Sequence, residues 1–108
     1  MIVELRIYHC APGRLPALLD RFQNTTLGFF EQYGIRQLGF WTTLIGPDNH
    51  TLTYLLQWES LAEREQKWNT FQADPEWIAK RGASEADKPI VTRIESQLLT
   101  PTAFSALR

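Results

Sequence analysis

Polar side chains that could do chemistry lie close together near the beginning of the chain. Arg6, Tyr8 and His9 fall within one short segment in which apolar and polar residues alternate. Tyrosine and histidine can act as acids or bases, and an arginine can orient a bound substrate. We therefore treat Tyr8, His9 and Arg6 as candidate catalytic residues; His9 qualifies because the end of its segment could open into a cavity. The sequence does not indicate which reaction they would serve.

Aromatic side chains form a second candidate set, because they could line a pocket for a flat apolar ligand. The candidate ligand-binding residues are Trp41, Tyr54, Trp58, Trp68 and Trp77. A core role for most of them is the stronger interpretation, because each lies where the period of its helix or strand would bury it. Trp41 is the exception, since it falls on the polar side of its strand.

Metal ligands are scarce in this sequence. It contains two histidines, His9 and His50, and one cysteine, Cys10. Neither histidine has a second ligand at a recognisable spacing, so a surface role is favoured over ligation of a metal or haem. A single cysteine cannot form an internal disulfide. The sequence therefore predicts no metal site and no cofactor.

The overall composition is that of an ordinary globular protein. With 108 residues, of which 44% are hydrophobic, we expect residues 1–108 to form a single domain. The 11 Lys and Arg residues are scattered among 12 Asp and Glu residues, which argues against nucleic acid as a partner. No stretch approaches the roughly 20 apolar residues of a membrane-spanning helix, and charges interrupt the start where a signal peptide would be apolar. We expect a cytoplasmic protein that does not insert into membranes.

The hydrophobic periods and turn residues predict six main elements. They are strands over residues 2–9, 35–45, 51–58 and 89–99, a helix over 15–33 with a kink at 24–28, and a helix capped by Ser60 that is followed by a short helical piece from residue 75. The order β-α-β-β-α-β is that of the ferredoxin-like fold, an α+β fold in which both helices cover one face of an antiparallel sheet.

The faces of the predicted sheet suggest how the protein assembles. In the first strand Val3, Leu5 and Ile7 form an apolar side, which we expect to face the helices. The other side of the sheet would carry the polar residues Glu4, Arg6, Tyr8, Thr43, Gln57, Arg93, Glu95 and Gln97 together with the large groups Trp41, Leu55, Val91 and Leu99. Water alone would not normally cover so many large groups. We therefore expect a homodimer that packs sheet against sheet, with its charges paired at the interface and residues 100–104 lying over the partner.

A series of short motifs resembles the NIPSNAP family and spans nearly the whole chain. It comprises Glu4-Leu5-Arg6-Ile7-Tyr8 with Pro12-Gly13, Gly39-Phe40-Trp41-Thr42-Thr43, Ile45-Gly46 with Asn49, Trp58-Glu59-Ser60-Leu61-Ala62-Glu63-Arg64, Asp74-Pro75-Glu76-Trp77 and Leu99-Thr100-Pro101. The resemblance implies a dimeric α+β barrel, in which two ferredoxin-like protomers join their sheets. It implies little about activity, because small bacterial members are generally uncharacterised. Related barrel families include cofactor-free monooxygenases, lactone isomerases and haem-binding enzymes, but fold kinship is only analogy.

Three functions follow as hypotheses. The first is a homodimeric barrel that binds a small apolar or aromatic molecule between helices and sheet, without a metal. The second is a cofactor-free monooxygenase or isomerase that uses Tyr8, His9, Trp41 or Arg6 around the same cavity. The third is a structural or adaptor protein whose interior is filled by side chains.

Overall fold

The order of helices and strands follows the sequence-based expectation. A computed structural model describes residues 1–108. Its strands are β1 (Ile2–Cys10), β2 (Arg36–Thr42), β3 (Thr51–Trp58) and β4 (Val91–Leu99), and its helices are α1 (Leu15–Arg21), α2 (Leu27–Gln32), α3 (Leu61–Gln72) and α4 (Pro75–Ser84). The strands form one antiparallel sheet in the order β2-β3-β1-β4. This confirms the ferredoxin-like α+β fold. None of the helices combines the length and apolar character needed to cross a bilayer.

The first helical segment runs from α1 through a π-helical turn, Phe22–Thr26, into α2. In this turn the backbone N–H of Leu27 donates to the carbonyl of Phe22, which is the i to i+5 bond of a π-helix. The kink expected at residues 24–28 is therefore a π turn that begins slightly earlier. Gly34, with a φ of 68°, follows the end of α2, where a left-handed residue is favourable.

Side-chain caps fix the beginnings of α3 and α4. The Ser60 hydroxyl accepts a hydrogen bond from the backbone N–H of Glu63 at 3.1 Å, as the predicted capping box requires. The Asp74 carboxylate accepts from the backbone N–H groups of Glu76 and Trp77 at 2.8 and 3.2 Å. These caps set where each helix begins and hence which of its side chains point at the sheet.

The two faces of β1 are the reverse of what its sequence pattern predicted. Glu4 is fully buried, and Arg6 and Tyr8 are 7% and 8% exposed, all on the face that the helices cover. Each lies beside a buried residue of β3, as Arg6 does beside Tyr54. The prediction was wrong because these polar groups find hydrogen-bond partners under the helices, which removes the cost of burying them. The apolar alternate residues Val3, Leu5 and Ile7 consequently face away from the helices.

Two smaller differences concern β2 and β4. β2 ends at Thr42 instead of residue 45, so Leu44 and Ile45 lie in the connecting loop and are 94% and 93% exposed. Beyond Thr42 side chains connect the loop to β3 in place of the backbone ladder, as in the hydrogen bond between the hydroxyls of Thr43 and Thr51 at 3.0 Å. Val91 was expected on the uncovered face, but it packs against the core under the helices.

The core between helices and sheet is rich in aromatic rings. Its buried cluster includes Tyr8, Phe22, Phe29, Phe30, Tyr54, Trp58, Trp68, Phe71 and Trp77. Several rings meet edge to face, as Phe30 and Phe71 do at 5.5 Å between centroids. This stiff aromatic packing holds the helices at fixed positions over the sheet.

Candidate functional site

A cavity of about 730 Å³ opens between the helices and the β1–β4 side of the sheet. Sites for small molecules usually measure about 300–1,000 Å³. The cavity exists because α1 and α3 pack on the centre of the sheet and leave the edge strand β4 partly uncovered. Ile94, for example, points to the helical side of β4 but remains 47% exposed.

Aromatic side chains from every helical segment form much of the cavity wall. These residues are Phe22 of the π turn, Phe30 of α2, Trp68 and Phe71 of α3, and Trp77 of α4. Thr26 of the π turn also reaches the wall and is buried. The unusual turn thus contributes directly to the cavity, and π turns are frequent at functional sites.

Arg6 of β1 lies at the cavity and is held in one orientation by three hydrogen bonds. Its Nη1 donates to Glu4 Oε2 at 2.9 Å, its Nε to the Tyr54 hydroxyl at 2.9 Å and its Nη2 to the Tyr8 hydroxyl at 3.3 Å. Its guanidinium carbon also lies 4.4 Å from the centroid of the Trp68 ring, a cation–π distance. Such fixed geometry is what a preorganised binding group requires.

Glu4 is the buried counterion that keeps Arg6 charged. Burial on its own would raise the pKa of Glu4, but hydrogen bonds from Arg64, Ser96, Arg6 and Trp58 outweigh burial and lower it to about 2. The Arg64 contacts are 2.7 and 3.1 Å long. Although burial acts to lower the pKa of Arg6, its tyrosine and carboxylate partners raise it above the usual range. Both groups therefore stay ionised at neutral pH.

The hydroxyl of Tyr8 is another polar group at the cavity. It accepts hydrogen bonds from Tyr54 at 3.0 Å and from Arg6, and Tyr8 lines the cavity. Burial, followed by the neighbouring Tyr8, raises the pKa of Tyr54 well above its usual value, so Tyr54 stays neutral. Since the Tyr8 oxygen already accepts two bonds, its own proton is available to an acceptor in the cavity.

A second polar group lies where α1 meets the end of α4. Arg21 Nη1 donates to the Ser84 hydroxyl at 3.1 Å and to Glu85 Oε2 at 3.3 Å. Glu85 Oε1 also accepts from the backbone N–H of Ile90 at 2.7 Å, which ties the start of β4 to this group. Burial would raise the pKa of Glu85, but these backbone and arginine contacts lower it. Arg21 and Glu85 both line the cavity.

Comparison with known proteins identifies the family. The NIPSNAP family model matches residues 3–106. The chain belongs to the NIPSNAP family. An uncharacterised NIPSNAP domain protein from Burkholderia xenovorans is 30% identical, with a TM-score of 0.83 over 97% of this chain and 98% of that one. A NIPSNAP family protein from Agrobacterium tumefaciens is 25% identical, with a TM-score of 0.87 over 99% of this chain and 98% of that one.

A more distant likeness shows only the shared fold. A monooxygenase from the gene ActVA-Orf6 of Streptomyces coelicolor, solved in complex with the ligand nanaomycin D, is 15% identical to this NIPSNAP chain. Its TM-score is 0.66 over 94% of this chain and 88% of its own. No curated protein matches the chain significantly.

The candidate residues named from the sequence fall in three places in this NIPSNAP domain. Of the proposed catalytic and ligand-binding residues, those lining the cavity are Arg6, Tyr8, Trp68 and Trp77. Tyr54 and Trp58 lie behind the cavity wall, where Tyr54 binds Arg6 and Trp58 donates to Glu4 at 3.0 Å. Trp41 and His9 are on the opposite face of the sheet.

His9 is held on that opposite face by carboxylates. Its Nε2 lies 2.6 Å from Glu95 and its Nδ1 lies 3.3 Å from Asp48. The hydrogen bond from His9 lowers the pKa of Glu95. Because the two carboxylates contact opposite nitrogens of the ring, they do not converge on one metal position. No group of three or more His, Cys, Asp or Glu side chains is arranged to hold a metal ion.

The sequence analysis did not name most of the polar residues of the cavity wall, among them Arg21, Thr26 and Glu85. Arg21 carried a signal, because it lies between Leu18 and Phe22 on the buried stripe of α1, where a charged residue is unusual. The poor helix formers at residues 24–28 were a second signal, since they mark the π turn that carries Thr26. Glu85 gave none, because its role depends on contacts across the fold.

Proposed function

We propose that this protein is a homodimeric NIPSNAP-domain protein that binds a small apolar or aromatic molecule inside each protomer. The cavity of about 730 Å³ carries this proposal. It combines aromatic walls with a few fixed polar groups, Arg6 and Tyr8 among them, which is the usual composition of a small-molecule site. An open cavity also favours binding over a structural role with a filled interior. The nanaomycin D complex of the Streptomyces coelicolor protein supports the view that this fold can hold a ligand.

Binding can be tested with the neutral fluorescent dye N-phenyl-1-naphthylamine, whose emission rises in apolar surroundings. We expect saturable binding by the wild-type protein. Asn69 is an exposed residue of α3 at the cavity wall, so Asn69→Trp should obstruct the cavity and weaken binding. Gln66→Trp is the matched control, because Gln66 is also an exposed residue of α3 but lies outside the wall. Absence of saturable binding, or equal binding by both variants, would count against the proposal.

The homodimer is proposed from the uncovered face of the sheet. Apolar side chains there include the neighbours Leu5 and Leu55 at the centre, and Leu99 and Trp41 are 41% and 51% exposed on the same face. A stable interface buries about 800 Å² per partner, which one face of a four-stranded sheet can supply. A second copy presents the same apolar surface, so two such faces complement each other.

The oligomeric state tests this part of the proposal. We expect light scattering coupled to size-exclusion chromatography to give twice the chain mass of 12.5 kDa. Ile7→Lys, on the uncovered face, should produce a folded monomer. Leu61→Lys, which changes a 59% exposed residue of α3, should remain a dimer. A wild-type monomer would remove the dimer from the proposal.

A cofactor-free monooxygenase or isomerase is the second candidate function. The Tyr8 hydroxyl favours it, because this group has a proton to donate inside an aromatic cavity. Tyr8→Phe keeps the ring and removes the proton. If the protein is an enzyme, turnover of a bound compound should fall by about 100-fold or more while dye binding persists. Unchanged turnover would exclude Tyr8 as the acid.

The proposed cellular setting is the cytoplasm. The single cysteine, Cys10, is free and buried, as suits a protein that needs no disulfide. Because the 11 basic residues are mixed with 12 acidic ones, we do not propose nucleic acid as a partner. Fluorescence microscopy of a tagged protein in its native host would test this location.

A further inference from the structure

We infer, on the basis of the proposed function, that the ligand is an anionic aromatic molecule whose acidic group binds beside Arg21 and Trp77. Its ring would lie between the aromatic walls of the cavity. Two separate observations support this choice: hydrogen-bond donors without acceptors at one end of the cavity, and an excess of positive charge around it.

Two buried donors at this end have no acceptor within the protein. They are Arg21 Nε and Trp77 Nε1, on side chains that are 6% and 4% exposed and line the cavity. The guanidinium carbon of Arg21 lies 6.0 Å from the centroid of the Trp77 ring, so the two donors belong to the same region. A buried donor that lacks a partner costs roughly 1–3 kcal/mol, and native proteins rarely leave one unsatisfied. A carboxylate bound between the two side chains supplies two acceptor oxygens, one for each donor.

The cavity also favours negative charge. The charged groups on its helical side are the three arginines Arg6, Arg21 and Arg81 and only one carboxylate, Glu85, because the guanidinium of Arg93 lies on the opposite face beside His9. Glu85 already accepts hydrogen bonds from Arg21 and from the backbone N–H before β4. The nearby Glu4 accepts from both Arg6 and Arg64, so one carboxylate faces two arginines. Arg81 has no carboxylate within salt-bridge distance. A carboxylate on the ligand would therefore meet unbalanced positive charge, which attracts anions and strengthens hydrogen bonds to them.

The opposite end of the cavity fits the ring of such a ligand. Arg6 already stacks on Trp68, and the Tyr8 hydroxyl can donate to a substituent on the ring. Phe22, Phe30 and Phe71 supply apolar surface between the two ends. An aromatic acid would thus place its ring on the aromatic wall and its carboxylate at the Arg21–Trp77 end.

The test compares 2-naphthoate with 2-naphthamide, which has the same ring and a neutral polar group. Each compound is used to displace bound N-phenyl-1-naphthylamine from the wild-type protein. We expect naphthoate to displace the dye at about tenfold lower concentration, which corresponds to one hydrogen bond to a charged group. Trp77→Phe removes one donor and Arg21→Lys removes the other while keeping a positive charge. Both should weaken naphthoate binding and change naphthamide binding less.

Arg36→Lys is the control, because Arg36 lies on the surface and pairs with Glu59 at 2.7 Å. It should leave both affinities unchanged. Equal displacement by the two compounds, displacement by neither, or a naphthoate advantage that survives in both Trp77→Phe and Arg21→Lys would overturn the inference. In these cases bound dye would still support the proposed function. If the dye itself fails to bind, the proposed function fails and the inference fails with it.

Discussion

Substitution of Glu4 by glutamine tests whether the buried ionic group under α3 holds the fold together. Glu4 accepts hydrogen bonds from Arg6, Arg64, Trp58 and Ser96, and its side chain is fully buried. Glu4→Gln keeps the size of the side chain but removes the negative charge that Arg6 and Arg64 share. Glutamine also replaces one acceptor oxygen by an NH₂ group, which would face a donor.

The structure gives two routes to the size of the effect. The pKa of Glu4 falls from 4.5 to about 2 on folding. At about 1.4 kcal/mol per pKa unit, this corresponds to about 3 kcal/mol in favour of the ionised form. Breaking a buried ion pair by removal of one partner typically costs about 3–5 kcal/mol. Both routes predict a loss of at least about 3 kcal/mol, a large part of the roughly 5–15 kcal/mol expected for a domain.

Urea unfolding monitored by circular dichroism measures this loss of stability. The pH dependence of the loss shows whether the charge of Glu4 causes it. Because folding lowers the pKa of Glu4, its ionisation stabilises the fold fully above pH 4.5 and less as the pH falls towards about 2. The difference between wild type and Glu4→Gln should therefore be largest near neutral pH and shrink between pH 4.5 and 2. Glu59→Gln is the control, since its pair with Arg36 is exposed and screened by water and should change the free energy of unfolding much less. A difference of less than about 1 kcal/mol at pH 7, or one that does not change with pH, would refute this reasoning.

Three further predictions concern single positions. Gly39 has a φ of 152°, and a Cβ there would lie 2.7 Å from the Trp41 ring. Gly39→Ala should therefore lower the free energy of unfolding, measured in urea, by about 1–3 kcal/mol. Gly28→Ala, where a Cβ meets nothing within 4 Å, should be neutral or stabilising; equal losses for both would contradict the strain at Gly39. Asp74→Ala removes the cap of α4 together with the hydrogen bond from the Tyr33 hydroxyl and should lower the urea midpoint, and an unchanged midpoint would argue against this role. Burial raises the pKa of Cys10, so a thiol reagent should modify it slowly in the native protein and rapidly in urea, whereas rapid native labelling would mean that Cys10 is accessible.

The element order could be predicted because each helix and strand has local signals of its own. Ser60 and Asp74 cap the helices they precede, and Gly34 supplies the left-handed residue after α2. These signals act within a few residues, so they can be recognised without knowledge of the fold. The turn after β2 was recognised for the same reason, although the strand ends before Leu44.

The orientation of β1 could not be predicted, because alternation distinguishes two sides of a strand without saying which side the helices cover. The groups that make burial of Glu4 acceptable come from far along the chain. Arg64 lies 60 residues and Ser96 lies 92 residues after Glu4 in the sequence. Without these partners, burial of the apolar side would be the correct expectation.

The cavity was only partly foreseeable. Tyr8, Arg6, Trp68 and Trp77 stood out as residue types suited to binding, and the fold brings them to one cavity. Their grouping with Arg21 depends on where α1 and α4 meet, and this contact cannot be predicted from residues that are close in the sequence.

The reversed orientation of β1 links the cavity to the proposed dimer. Because side chains alternate along a strand, placing Arg6 and Tyr8 under the helices necessarily places Leu5 and Ile7 on the uncovered face. The polar groups then line the cavity, while the half-buried apolar groups lie on the face that the proposed dimer would cover. If the pairing of β1 shifted by one residue, the polar side chains would move to the uncovered face and the apolar ones would move under the helices. We therefore expect the cavity and the dimer to depend on the same strand register, although they lie on opposite faces of the sheet.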